Sequence, residues 1–242
     1  MDIFNRTRRL VGTDAMRRLS ESRVIVFGVG GVGSWTAESL VRSGIGHLTI
    51  VDADCVATSN INRQQPATVS TIGKPKVDVM REHLLDINPE LDITAIQDMY
   101  TASTADNYNL SDYDYVVDAI DSLSDKALLI LRATSARTRL FSSMGAALKM
   151  DPTRISVAEF WKVKGCPLAA ALRQRFKRSG QMPRRKFRCV YSDELLPNLG
   201  EEDDTSGAMS FGKVRINGAM CHITAMFGFT LAGLVVQDIL KR

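Results

Sequence analysis

Short apolar runs alternate with stretches of helical spacing through the first 160 residues. Val24-Ile25-Val26-Phe27 is β-branched and aromatic, as expected of a strand buried on both faces of a parallel sheet. Glycines follow at once, and Ser34 to Ser43 then has helical spacing, with Trp35, Leu40 and Val41 available to face the sheet. His47 to Val51 reads as the second strand. Gly73-Lys74-Pro75-Lys76 opens a helix from Val77 to about Ile87, ended by Asn88-Pro89, and Leu91 to Ile96 is the third strand. Tyr113 to Asp118 gives a fourth strand, Lys126 to Thr134 a helix with Leu128, Leu129 and Leu131 inside, and Arg139 to Ser143 a fifth strand. Beyond a turn at Asp151-Pro152-Thr153, Arg154 to Phe160 alternates as a further strand. Ahead of all this lies a basic lead-in from Phe4 to Gly12, after which Thr13 or Asp14 caps a short helix through Leu19.

From Gly165 to about Ser210 the periodicity fails, and Pro167, Pro183 and Pro197 interrupt it. One helix is expected there, from Pro167 to Lys177 with Leu168, Leu172 and Phe176 on one stripe, and the rest reads as a long crossover loop. Ala219 to Val236 carries no formal charge over 18 residues, the lower limit for a membrane span. His222, Thr224, Gly228, Thr230 and Gly233 lower its apolarity, so a buried helix is expected and a membrane partner is not. The pattern predicts an α/β fold, Rossmann-like and doubly wound around a mainly parallel sheet. It is one domain, with an arm at 1–23, a nucleotide-binding core at 24–160, a crossover at 161–212 and a helical end at 213–242.

Length and composition suit such a domain: 242 residues, 45% hydrophobic and 24% charged. Met1 to Ser22 lacks the apolar segment of a signal peptide. Four cysteines, at 55, 166, 189 and 221, form no C-x-x-C pair, so neither a structural zinc nor a disulfide framework is expected. Reduced thiols in the cytoplasm are the default. The net charge of +4 hides a segregation: ten Lys or Arg and no acid lie between Lys162 and Arg188, and six acids and no base between Asp193 and Asp204. One local basic tract on a neutral body points to a specific anionic partner.

The chemistry concentrates where strands end. Gly28-Val29-Gly30-Gly31-Val32-Gly33 joins the first strand to its helix, where glycines let phosphate oxygens approach the amides at the positive helix end. Asp52 closes the second strand, placed to hydrogen-bond a ribose hydroxyl. Strand, loop, helix, strand and carboxylate in that order specify a nucleotide site and leave the nucleotide open. Ser59-Asn60-Ile61-Asn62-Arg63-Gln64-Gln65 is too polar for a strand and is expected to form a loop over the nucleotide. Ala119-Ile120-Asp121-Ser122 lies at the carboxyl end of the fourth strand, where α/β sheets place ligands.

F-x-R-x-x-x-L-x-G at Phe4, G-x-G-G-x-G at Gly28, D-x-D at Asp52, S-N-x-N-R-Q at Ser59, G-x-x-K at Gly73 and D-x-x-D at Asp118 together resemble the adenylating superfamily of ThiF, MoeB and the ubiquitin-activating enzymes. Within it, Met150-Asp151-Pro152-Thr153, Pro167-Leu168-Ala169-Ala170, Cys189-Val190-Tyr191-Ser192 and Ala225-Met226-Phe227-Gly228-Phe229 resemble the tRNA threonylcarbamoyladenosine dehydratases. The resemblance implies ATP with Mg²⁺, activation of a carboxylate by attack on the α-phosphate, and ring closure of the threonyl group of N6-threonylcarbamoyladenosine in a tRNA anticodon loop. It implies a cofactor-binding set of Gly28, Gly30, Gly31, Gly33, Asp52, Ser59, Asn60, Asn62, Arg63, Gln64, Lys76, Asp121 and Ser122. Arg63 and Lys76 match phosphate-holding positions, and Asp121 matches the metal-binding one. Arg6 matches an arginine that reaches the partner's ATP in related dimers, so a homodimer is expected.

The basic tract supplies an expected tRNA contact set, Arg173, Arg175, Lys177 and Arg178 on or just beyond a helix and Arg184, Arg185, Lys186 and Arg188 around Phe187, docking the anticodon arm beside the ATP site. Two departures from the superfamily stand out: no paired C-x-x-C motifs, and Ser122 where Asn is frequent. Two other functions share the glycine loop. A nicotinamide oxidoreductase has no use for Arg63, Lys76 and Asp121 together, whereas an activator of a sulfur-carrier protein uses the same ATP site on a Gly-Gly tail. Whether a sulfur-transfer protein is a further partner is left open by the sequence.

Overall fold

The computed structural model describes residues 2–200 and 217–241. Its centre is a seven-stranded sheet in the order β3-β2-β1-β4-β5-β7-β6, with β1 at Arg23–Phe27, β2 at His47–Val51, β3 at Asp92–Ile96, β4 at Tyr115–Asp118, β5 at Arg139–Ser143, β6 at Ile155–Glu159 and β7 at Arg188–Ser192. Only β6 runs antiparallel, against β7. All other neighbours are parallel. From β1 the chain winds outward to β2 and β3, and then returns to place β4 on the other flank of β1. The order therefore reverses between β1 and β4, and in such sheets the crevice at that reversal holds the ligand.

Alternation along β1 sends its side chains to two cores. Val24 and Val26 join one cluster and Ile25 and Phe27 the other, all fully buried. Burying each such side chain contributes about 1.5–3 kcal/mol. The first cluster is covered by α2 (Thr13–Glu21), α3 (Gly33–Arg42), α4 (Lys76–Ile87) and α7 (Cys221–Leu240). The second is covered by α5 (Leu123–Ser135), α6 (Pro167–Ser179) and the turn-rich segment between β3 and β4. Tyr100 and Tyr108 of that segment pack edge-on against Phe27, with ring centroids 4.8 and 5.3 Å away. A further short helix, α1 (Asn5–Val11), precedes α2.

The uncharged stretch lies in α7, a 20-residue helix long and apolar enough to cross a membrane by length and composition only. In the fold it lies along α3. Gly228 permits the contact, since a Cβ there would stand 2.6 Å from the Val32 carbonyl oxygen. Its Asp238 accepts from the hydroxyl of the fully buried Tyr115 at 2.8 Å and pairs with Arg139.

The stretch expected to be crossover loop differs from the expectation. Arg188–Ser192 is a strand inserted between β5 and β6. It has five residues and a charged first position, and its ladder partners come from Phe141–Ser143 and Ile155–Glu159, tens of residues upstream. Tertiary pairing, which a local pattern does not carry, decides it. The expected helix at Pro167 runs to Ser179, where Gly180 takes up a left-handed φ of 69°. Residues 201–212 of the expected crossover, with four of the six clustered acids, lie outside the described residues.

Candidate functional site

Gly28 leaves β1 with φ +87°, and a Cβ there would sit 2.8 Å from the Ala119 carbonyl oxygen. At Gly33 a Cβ would meet the Gly28 oxygen at 1.7 Å, so the loop closes on itself only with glycine at both ends. This brings the positive end of α3 to the carboxyl edge of the sheet, beside the loop that leaves β4. Gly30 and Gly31 form the middle of that turn, with Ser34 N donating to the Gly30 carbonyl at 3.1 Å.

Asp52, at the end of β2, is fastened to the glycine loop. Its Oδ2 accepts from Val29 N at 2.6 Å and its Oδ1 from Asp54 N at 2.9 Å. Burial raises its pKa, against the pull of Lys76 and these two amides. Lys76 is the first residue of α4 and only 4% exposed, yet its Nζ reaches Asp54 Oδ2 at 2.8 Å. An isolated β-bridge between Cys55 and Pro75 ties the D-x-D turn to the start of α4, so the G-x-x-K motif and Asp52 arrive as one unit.

The polar loop is ordered around Arg63. Its Nη1 donates to the Ser59 carbonyl at 2.8 Å and to Asn62 Oδ1 at 2.9 Å. Its own carbonyl accepts from Trp35 Nε1 at 3.1 Å and Thr224 Oγ1 at 3.4 Å, and Asn62 Nδ2 donates to the Ala219 carbonyl at 3.0 Å. The buried Asn60 accepts from Ala57 N at 3.1 Å through Oδ1. Burial lowers the pKa of Arg63 and the charge of Asp121 opposes that, which places Asp121 in its field. Gln64 is buried and its Oε1 has no partner among the described residues.

The loop after β4 is set by a fully buried ion pair that motif matching missed. Lys126 Nζ lies 2.8 Å from Asp118 Oδ1 and donates to the Ile120 carbonyl at 2.7 Å, while Asp118 Oδ2 accepts from Ser142 Oγ at 2.6 Å. Asp118 is thereby occupied internally, and Asp121 projects at the exposed edge with the half-buried Ser122, whose Oγ is 3.1 Å from Ser124 Oγ. The available signal was a lysine just ahead of the apolar run Ala127 to Leu131, eight residues after the aspartate.

Arg6 is not brought to this site by its own chain. It is exposed on α1, and the adjoining Phe4 packs near Gly44, which follows the far end of α3 from Gly33.

The basic tract departs from the expectation in three respects. Arg184 to Arg188 lie at the amino edge of the parallel strands, where Arg185 meets the end of α5 and the start of β5; docking beside the nucleotide loop is therefore not what the fold builds. Arg185 donates to the carbonyls of Thr134 (2.9 Å), Ala133 (3.0 Å), Thr138 (2.7 Å) and Ala136, which makes it a helix-end clamp. Arg173 donates to the Phe160 carbonyl at 3.2 Å, and Phe187 is buried with its ring stacked 5.0 Å from Phe160, so neither is offered to an RNA base. Arg175, Lys177, Arg178, Arg184, Lys186 and Arg188 are exposed.

Comparison with known proteins agrees with this geometry. A tRNA threonylcarbamoyladenosine dehydratase of Haemophilus influenzae is 39% identical, over 97% of this chain and 92% of that protein. One of Bacillus subtilis is 36% identical, over 98% and 94%. The crystal structure of Escherichia coli tRNA N6-threonylcarbamoyladenosine dehydratase, TcdA, in complex with ATP superposes with a TM-score of 0.87 at 35% identity, covering 99% of this chain and 94% of that one. A profile of the ThiF family matches residues 4–242, taking in the glycine loop, both acidic motifs, β7 and α7, and the chain belongs to the ThiF family.

Proposed function

We propose that this protein is an ATP-dependent dehydratase that closes the threonyl group of N6-threonylcarbamoyladenosine in tRNA into its cyclic form. The observation that carries it is the convergence of Gly28 to Gly33, Asp52, Lys76, Arg63 and Asp121 on the carboxyl edge between β1 and β4, in a chain similar along its length to dehydratases. The triphosphate lies along the glycine loop and the amides of α3, the ribose against Asp52, and the phosphates between Lys76 and Arg63. Gln64 packs its Nε2 near Gly30, beneath the glycine loop. Ser59, Asn60, Asn62 and Ser122 frame the same cleft. Asp121 suits Mg²⁺, which is held by one or two carboxylates together with phosphate oxygens and would neutralise charge on the departing pyrophosphate.

The threonyl carboxylate attacks the α-phosphorus and pyrophosphate leaves. The neighbouring carbamoyl group then closes on the activated carbonyl carbon, releasing AMP. Lys76 and Arg63 stabilise charge that grows during the displacement. Because ring closure is intramolecular, its effective molarity is high and no thioester carrier is needed. Cys166 and Cys189 are buried, and burial raises the Cys189 thiol well above its ordinary pKa, whereas Cys55 and Cys221 are exposed.

A second copy completes the site. Met226 and Phe229 are 42% and 43% exposed on the outward face of α7, and Leu10 on α1 is 86% exposed. These apolar positions are the surface we assign to that second copy, whose Arg6, exposed on α1, would serve this chain's nucleotide. The test is mass spectrometry of nucleosides from tRNA incubated with the protein, ATP and Mg²⁺. Loss of one water from the threonylcarbamoyl nucleoside is expected. Its absence, with pyrophosphate exchange stimulated by a sulfur-carrier protein in its place, would overturn the assignment.

A further inference from the structure

We propose that the amino edge of the sheet at β5 and β7 is a docking surface for the sugar-phosphate backbone of RNA, separate from the nucleotide edge. The inference rests on tRNA being the substrate and adds where the enzyme grips it. Ten cations and no acid lie between Lys162 and Arg188, and among the described residues none of the ten forms an ion pair. Arginines elsewhere on the surface do pair, such as Arg8 with Asp2 and Arg154 with Asp193. The nearest acid in the ladder, Glu159 opposite Arg188, is turned into the cap of the next turn and accepts from Trp161 N at 3.2 Å. Among the described residues Arg184, Lys186 and Arg188 thus have no carboxylate partner, and they are the cations offered to an external anion.

Their mounting is rigid. The Arg185 clamp and the bond from Arg184 N to Thr134 Oγ1 (3.2 Å) hold the segment against α5, and the buried Phe187 anchors it from below. Arg184, Lys186 and Arg188 are exposed along this segment, and Lys177 and Arg178 are exposed at the end of α6, a few residues before it in the chain. Beside them a cleft of about 240 Å³, lined by Thr138, Arg139, Phe141, Lys186 and Arg188 among others, is roomy enough for a phosphate and its sugar. Cations spaced along a fixed edge match regularly spaced phosphates, and Trp161, just past the Glu159 that faces Arg188, is partly exposed at the same edge. A strand of five residues spans roughly 15 Å, so RNA held here and entering the nucleotide edge is gripped at two separated places.

The experiment is tRNA binding by Arg184→Gln/Lys186→Gln/Arg188→Gln across a salt titration, using an unmodified tRNA transcript without ATP. Affinity should fall tenfold or more near 0.1 M salt, and the slope of log K against log salt should flatten by about two, the loss of three phosphate contacts. ATP affinity and melting temperature should be unchanged. Lys177→Gln/Arg178→Gln, on a different element, should lower affinity in the same direction, which guards against a local folding defect. Unaltered tRNA affinity and slope in both variants would overturn the proposal, as would binding of the edge to phosphatidylserine vesicles with tRNA binding unaffected. Because this readout needs no turnover, wild-type protein that binds tRNA through this edge yet forms no cyclic product would count against the dehydratase assignment alone.

Discussion

At the scale of single residues, two buried cations have different jobs. Lys76 stands at the proposed nucleotide cleft with Asp54 as its only partner among the described residues, so its ammonium can turn toward phosphate. Removing one preorganised charge from such a site costs about 2–4 kcal/mol in the transition state. Lys76→Ala and Asp121→Ala are each expected to lose about a hundredfold or more in kcat while melting normally, and near-wild-type turnover in both would remove the adenylation mechanism. Lys126 never meets solvent. Lys126→Met leaves the Asp118 carboxylate buried and uncompensated, and is expected to cost about 3–5 kcal/mol in chemical denaturation. Adding Asp118→Asn to that variant should recover part of the loss; an unchanged deficit would show that the pair is not what matters. The motifs of the proposed nucleotide site were legible because each is contiguous in the chain and several sit at strand ends. Lys126 was not, because its partner lies one loop away and a lysine at helical spacing ordinarily faces water.

Among the elements, β7 and the turns around it show how a strand with little pattern of its own is secured. Glu194, just past β7, accepts from Met150 N at 2.8 Å and Asp151 N at 2.9 Å, joining the β5–β6 connection to the strand between them. Those two amides hold its carboxyl below the usual range. Folding therefore favours the ionised form: the stabilisation is complete above the unfolded value of 4.5 and is lost as pH falls through the lower folded value. Glu194→Gln should melt below the wild type at neutral pH, with the gap closing as pH drops under about 4. A gap independent of pH would refute the linkage. The five strands from β1 to β5 were legible from short apolar runs, and β6 from alternation. What hid β7 was that its two ladders come from distant segments, and that the Arg and Lys before it read as loop.

For the whole molecule, assembly is the first consequence. The outward stripe of α7 is apolar at Met226 and Phe229, and a Cβ at Gly233 would meet nothing within 4 Å. In the proposed dimer, where Arg6 serves the partner's nucleotide, Phe229→Glu should shift the protein toward monomer in sedimentation velocity and depress turnover; a fully active monomer would show that each chain works alone. The second consequence concerns synthesis. One sheet face, with Val24, Val26, Tyr115, Val117, Phe141 and Val190, is roofed in part by Ile223, Phe227, Leu231 and Val235 of α7, and the Arg63 loop is pinned by Ala219 and Thr224. A ribosome delivers all seven strands before this roof. Until α7 emerges, the nascent chain carries a bare apolar face and an unfastened ATP loop, so prefixes released near residue 200 should be clients for chaperones and blind to nucleotide.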